Sequence, residues 1–335
     1  IGKGLFFRFS NFLYLPKKEM QFSTPIPISK YSNAIDYHSK LISIGSCFAE
    51  NIGEKFNYFK FQNTVNPFGI IFNPVSLEKI ISRCVSKTYF TENDIFFHND
   101  LWHCFEVHSE LSNLDKNELL AQLNNLIDVT NKHISEATHV LITLGTSWVY
   151  KLKSTNEIVA NCHKVPQKEF EKELLSAEQI EQSLQNIISN ITSANTNAKF
   201  IFTVSPVRHS KDGFFENNVS KAHLLSAVFK TVNRQPTTAN YFPSYEIMMD
   251  ELRDYRFYAN DMLHPSQQAI NFIWIKFFEN YVNEKEFQTM QEVCNIQKGL
   301  QHRPFNPNTP AHQQFLLALN QKITKLQAQF PHITF

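Results

Sequence analysis

The residues able to do chemistry concentrate in two short segments far apart in the chain. The first is Gly45-Ser46-Cys47-Phe48-Ala49. An apolar run over 41–44 stops at Gly45, and a helical pattern then begins, with Phe48, Ile52 and Phe56 four residues apart. A strand, a glycine turn and a helix start carry Ser46 or Cys47 to the carboxyl edge of a sheet. There the first helix amides favour negative charge, and a thiol gains thiolate character. The same pattern also suits a plain turn with Cys47 buried. The second segment is Asp261-Met262-Leu263-His264-Pro265. A carboxylate three residues before a histidine can accept from one ring nitrogen and leave the other as a general base. It can equally cap the helix that Pro265 begins. Taken together, Cys47 or Ser46 as nucleophile, His264 as base and Asp261 as its orienting partner suit acyl transfer.

Two glycine turns could complete such a site. In Asn66-Pro67-Phe68-Gly69 the Gly69 amide is placed to meet an oxyanion. In Leu144-Gly145-Thr146-Ser147-Trp148 a buried strand ends, so Thr146 and Ser147 emerge where open α/β sheets bind ligands. His163, Arg208 and His209 follow strand ends or motif runs and could line the pocket, with Arg208 meeting an anionic group. His98, His103 and His108 are spaced by five, which is no ligand pattern, so no metal is expected.

These residues need a scaffold. The chain has 335 residues and 42% hydrophobic content. That is enough for a sizeable core. Residues 140–144 and 200–204 are apolar runs suited to central parallel strands. Around them Leu119, Leu123 and Ile127 share one helical face, and Ile180, Leu184, Ile187 and Ile191 another. The latter helix is opened by Ser176 and Gln179 as a capping box. A third helix is expected over 219–228 and a fourth after Pro265. Strands alternating with helices give an α/β sandwich with a mostly parallel sheet. The aromatic stretch 89–108, turning at His98-Asn99-Asp100, reads as a β-hairpin insertion. The prolines within 303–311 mark a linker, and 315–330 a terminal helix. Residues 1–19 read as an extension preceding a domain over 20–300, and 301–335 as linker and helix.

The net charge is +1, with both signs interspersed. Such a balance excludes nucleic acid as the main partner. No apolar run is long enough to span a bilayer. Five cysteines at irregular spacing do not form a disulfide framework, and a reducing, cytoplasmic setting is expected.

The runs quoted above, in order, resemble the GSCFA-domain family, within the SGNH (GDSL-like) hydrolase superfamily. Further matching runs are Asn161-Cys162-His163-Lys164-Val165-Pro166, Val204-Ser205-Pro206-Val207-Arg208, Tyr241-Phe242-Pro243-Ser244-Tyr245-Glu246 and Asp254-Tyr255-Arg256-Phe257-Tyr258. The resemblance implies a three-layer α/β/α sandwich of flavodoxin type. It also implies hydrolysis of an O-acyl ester, for instance acetyl on a carbohydrate, with no cofactor. By frame, Ser46 takes the position of the superfamily's aspartate and Cys47 that of its serine nucleophile; a one-residue adjustment favours Ser46. The oxyanion donors become the Cys47 and Gly69 amides and Ser147, which stands where the superfamily has asparagine; Asn66 could compensate. Two alternatives remain open: an O-acyltransferase on the same site, and a non-catalytic binding or scaffold module that keeps the fold.

Overall fold

The computed structural model describes residues 23–335, so the reading of 1–19 as an extension lies outside the described residues. The frame is a five-stranded sheet. Its strands are β1 (Lys40–Gly45), β2 (Gln62–Val65), β3 (His139–Leu144), β4 (Lys199–Val204) and β5 (Ala239–Tyr241). All the pairings are parallel, and the order across the sheet is β2-β1-β3-β4-β5. This is the flavodoxin-type winding. Its order reverses between β1 and β3, so the loops leaving those two strands part company and open a crevice at their carboxyl ends.

Both faces of the sheet are covered, which is why the strands read as unbroken apolar runs rather than alternating ones. Alternation still decides which side chain goes where. Ile42, Ile44, Val140, Ile142, Phe200 and Phe202 face one core, while Leu41, Leu141 and Ile201 face the other. The first core is closed by α2 (Pro74–Ser86), α3 (Lys116–Glu136), α4 (Ala177–Ala194) and α5 (Phe214–Arg234). The second is closed by α1 (Cys47–Tyr58), α6 (Gln267–Tyr281), α7 (Phe287–Gln301) and α8 (Pro310–Gln329). The result is a three-layer α/β/α sandwich.

Helix boundaries follow local chemistry. Ser176 accepts from the Gln179 amide at 3.2 Å, and the Gln179 side chain accepts from the Ser176 amide at 2.7 Å. This reciprocal capping box opens α4 as expected. Helix α5 runs well beyond the expected 219–228, because Asn217, Lys221, Leu224, Val228 and Thr231 continue one buried face. Helix α8 starts ahead of the expected 315. Thr309 caps it and Pro310 takes its first turn, so that proline opens a helix instead of belonging to a linker.

Within 89–108, Phe96–His98 pairs antiparallel with Leu101–His103. Asn99 and Asp100 both have positive φ, 47° and 63°. A two-residue type I′ turn requires this at both positions. A three-stranded antiparallel sheet follows β3, with Trp148–Leu152 central between Glu157–Val159 and Phe170–Leu174. The sequence pattern does not announce it, since its strands are short and mostly half-buried.

Candidate active site

Gly45 makes the turn out of β1. Its φ is +132°, and a Cβ there would lie 2.0 Å from the Thr143 carbonyl oxygen. Strand β3 therefore runs too close for any side chain, and glycine alone fits. Asn66 fixes the turn from the other side. Its Oδ1 accepts from the Gly45 amide at 2.8 Å, and its Nδ2 donates to Glu50 at 3.2 Å. Asn66 therefore supports the turn, and these bonds direct none of its amide hydrogens at a ligand.

Ser46 and Cys47 then part in role. Ser46 is the N-cap of α1; it is buried, and its hydroxyl accepts from the Phe48 amide at 3.3 Å. Such a bond satisfies one of the donors that a helix start leaves orphaned. Cys47 is the first helical residue and half-buried. Its amide is among those a helix leaves without an intrahelical partner. Burial, and then the Glu50 carboxylate, push the Cys47 thiol up; Lys221 and the Cys47 and Phe48 amides pull it down. The net shift is upward, so the resting group is a thiol.

Asp261 does both of the things its spacing allows. One carboxylate oxygen accepts from the Leu263 and His264 amides, each at 3.0 Å, which caps the turn. The other meets His264 Nδ1 at 2.5 Å. That contact assigns the hydrogen to Nδ1 and leaves Nε2 free. The two amides and the imidazole hold the Asp261 carboxyl well down, at about 2. The turn is tight enough to put Met262 at φ +59°. It is docked against the segment leaving β4, because the Arg208 amide donates to the Leu263 carbonyl at 3.2 Å.

Lys221 escapes sequence reasoning. It lies on the buried face of α5, and its Nζ donates to the Gly145 carbonyl at 2.6 Å and the Ser205 carbonyl at 2.7 Å. Those carbonyls follow directly on β3 and β4. Its neighbour Ser220 accepts from the Ser147 amide at 2.8 Å and pairs with the Thr146 hydroxyl at 2.8 Å. One step of α5 thus pins both strand ends. The available signal is a lysine standing on the stripe Asn217, Leu224, Val228.

The charged groups form a continuous neighbourhood. Cys47 and Lys221 perturb one another, Lys221 and Arg208 repel, and both Lys221 and His264 act on His209. Burial, and then Lys221, hold the His209 imidazole neutral, at about 4. Cys47 follows the end of β1, Lys221 Nζ reaches the carbonyls that follow β3 and β4, and the Asp261–His264 turn docks on the segment leaving β4, so all lie on the carboxyl side of the sheet. A cleft of 910 Å³ opens at the Asp261 turn, lined by Arg208, Phe214, Tyr245, Tyr258, Asp261 and Leu263, among others; Cys47 and His264 are not in its lining.

Four expectations need correction. The Gly69 amide donates to the Asn66 carbonyl at 2.7 Å, closing its own turn, so it is not free for an oxyanion. The Ser147 hydroxyl is fully buried and donates to the Ser220 carbonyl at 3.1 Å, so it is no oxyanion donor either. Thr146 is buried against Ser220 and offers nothing to a ligand. His163 lies under the hairpin among Phe96, His103 and Phe105, with Nε2 bonded to the Cys104 carbonyl at 2.7 Å; it packs there and does not line the cleft.

Among the described residues no His, Cys, Asp and Glu group could hold a metal ion, and no helix is long and apolar enough to cross a membrane. No match to the chain was found among curated proteins. The model of the GSCFA family matches residues 40–277, from the first residue of β1 into α6, and so contains both the Cys47 turn and the Asp261–His264 turn. A second model, the GSCFA domain protein C-terminal domain, matches residues 293–335, which span the end of α7 and all of α8. The chain belongs to the GSCFA family.

Proposed function

We propose that this chain is an acyl hydrolase of the SGNH type that cleaves an O-acyl ester through Cys47. The observation that carries the reading is the Asp261–His264 bond, which leaves Nε2 available as a base; a cysteine that opens a helix at the end of a central strand supports it. Cys47 is preferred over Ser46 because the Ser46 hydroxyl serves as the helix cap, whereas the thiol is only half-buried.

The reaction divides into two transfers. His264 Nε2 takes the thiol proton as Sγ bonds to the ester carbonyl carbon, and the carbonyl oxygen becomes an oxyanion. Collapse breaks the bond to the alcohol oxygen, which leaves with the proton from His264. Water then attacks the thioester as His264 takes its proton, and expulsion of the thiolate, which regains a proton, releases the acid. Asp261 holds the imidazole in the tautomer this sequence needs and stabilises its cation. The Cys47 amide and the positive end of α1 face the oxyanion. The rings and charged groups of the cleft suit a polar, ring-bearing ester such as an acylated carbohydrate. An acyltransferase differs only in the acceptor that reaches the thioester.

The engaged Gly69 amide and Ser147 hydroxyl favour a second reading, a binding module that keeps the fold, because they leave the oxyanion few donors. Covalent labelling separates the two. The hydrolase reading expects a thiol alkylator to modify Cys47 selectively, with modification lost in His264→Ala, and release of 4-nitrophenol from 4-nitrophenyl acetate; a fluorophosphonate adduct at Ser46 would instead move the nucleophile by one residue. Slow, even labelling of all five cysteines with no turnover supports the binding module.

A further inference from the structure

We infer that the cleft at the Asp261 turn binds an anionic sugar, a uronate or a sugar phosphate, whose charged group meets the Arg208 guanidinium. The inference rests on the hydrolase reading only in taking that sugar to carry the ester. Its own basis is the charge left unbalanced in the cleft wall. The other charged side chains of the lining have partners: Arg253 pairs with Asp250 at 3.4 Å, Asp254 with Arg256 at 3.8 Å, and Asp261 with His264. Arg208 is half-buried, and among the described residues no carboxylate pairs with it. Its Nε is buried without an acceptor. Its neighbours in the cleft are neutral. One terminal nitrogen donates to the Met249 sulfur at 3.8 Å, the Phe214 ring stands 6.0 Å from Cζ, and the Tyr258 hydroxyl lies against the group. A thioether and a ring face are weak partners, and none of these neighbours balances a full charge. A carboxylate or phosphate does, with oxygens spaced to match the planar fork.

The cleft also has walls for the rest of a sugar. Phe214, Tyr255 and Met262 line it and stay 66%, 74% and 51% exposed. Large apolar side chains left open to water around one cleft mark a binding surface, and an aromatic face suits the flat C–H face of a pyranose. Met248 and Met249 enter the lining from a π-helical turn, Ile247–Glu251. Such turns occur frequently at functional sites. At 910 Å³ the cleft has the size of a small-molecule site. The Arg208 amide donates to the Leu263 carbonyl at 3.2 Å, so the backbone that carries the anchor is tied to the residue before His264. A sugar held by its charged group on Arg208 therefore lies in the same cleft as Asp261, the partner of the base.

The test is calorimetric titration of the chain with glucuronate, glucose 6-phosphate and glucose, in wild type, Arg208→Gln and Phe214→Ala. At least one of the anions should bind wild type about tenfold or more tighter than glucose, the usual worth of a hydrogen bond to a charged group. Glucuronate in front assigns a carboxylate ligand, and glucose 6-phosphate in front a phosphate. Arg208→Gln should erase the preference. Phe214→Ala, which removes an exposed ring and no charge, should weaken the preferred anion by about threefold or more. The inference is overturned if neither anion binds, if glucose binds as tightly, or if folded Arg208→Gln keeps the preference. Wild-type affinity in Phe214→Ala overturns the assignment to a sugar. If Arg208→Gln does not fold, the wild-type protein carries the test. The preferred anion should protect Arg208 from phenylglyoxal, read by mass spectrometry of its peptide, where glucose does not; equal modification overturns the pairing. These readouts are independent of ester turnover. Anion binding by a chain that hydrolyses no ester sinks the hydrolase reading alone; hydrolysis of 4-nitrophenyl acetate without an anion preference sinks only the role of Arg208.

Discussion

Two adjacent side chains, Ser46 and Cys47, divide the work of one turn, and substitution separates them. The Ser46 hydroxyl caps α1. Its removal in Ser46→Ala should cost about 0.5–2 kcal/mol in urea unfolding, while Cys47 still labels. Cys47→Ala should keep the stability and lose the labelling. A larger stability loss in Cys47→Ala than in Ser46→Ala would mean that the thiol is mainly a packing group. Histidines make a second prediction at this scale. His163 and His209 are both held neutral by burial, each at about 4 in the folded chain. The unfolded value is about 6.5. Between those two values the unfolded chain binds more protons than the native one. Stability is therefore full above about 6.5 and falls as the solution is acidified toward about 4. Urea midpoints measured from neutral pH down to that range should decline, and His163→Phe should flatten the slope. An unaltered slope would show that His163 accepts its proton without cost in the native state.

Elements place these residues, and the turns between them are the sensitive points. Gly45→Ala puts a methyl into the Thr143 carbonyl at a φ that L-residues avoid, so β1 and β3 must separate or the turn must unwind. The expected outcome is a clear loss of stability together with a fall in Cys47 alkylation, since the turn aims the thiol. A variant of native stability and reactivity would refute the claim that the close approach of the two strands sets the site. This element logic is also where the sequence is most and least legible. Central strands and the capping box of α4 can be read because burial on both faces leaves continuous apolar runs and because capping residues sit at fixed offsets. The flavodoxin-type architecture comes from the resemblance. Asp261 and His264 are readable because their pairing is local, three residues apart. The Gly69 amide and the Ser147 hydroxyl mislead because their partners, Asn66 and Ser220, are chosen by the fold of the loop and by a helix distant in sequence. Lys221 escapes for a similar reason. Its role depends on two carbonyls in other segments, and no sequence window contains them.

At the scale of the whole molecule, the C-terminal helices close the second core instead of hanging from it. Leu319 and Leu326 of α8 are buried, and beyond the helix Phe330 and Ile333 are buried as well. The Phe330 ring lies 4.9 Å from that of Tyr37, which itself stacks on Phe61 at 4.3 Å just ahead of β2. Phe61 meets Phe56 of α1 edge-on, and Phe56 meets Trp274 and Phe277 of α6 in the same way. A line of rings thus runs from the end of the chain to the helix that Cys47 opens. Phe330→Ala removes the outermost ring and should cost about 3–5 kcal/mol, the usual range for a large buried aromatic. Because α1 and α6 share that core with α8, the loss should appear in one cooperative transition, with tryptophan fluorescence and far-ultraviolet circular dichroism melting together. Cys47 alkylation at low temperature, well below the transition, should stay at the wild-type rate, since the ring stands apart from the groups that perturb the thiol. Two separate transitions would instead make the segment over 293–335 an independently folding appendage, and the line of rings would then be a contact between units rather than a shared core.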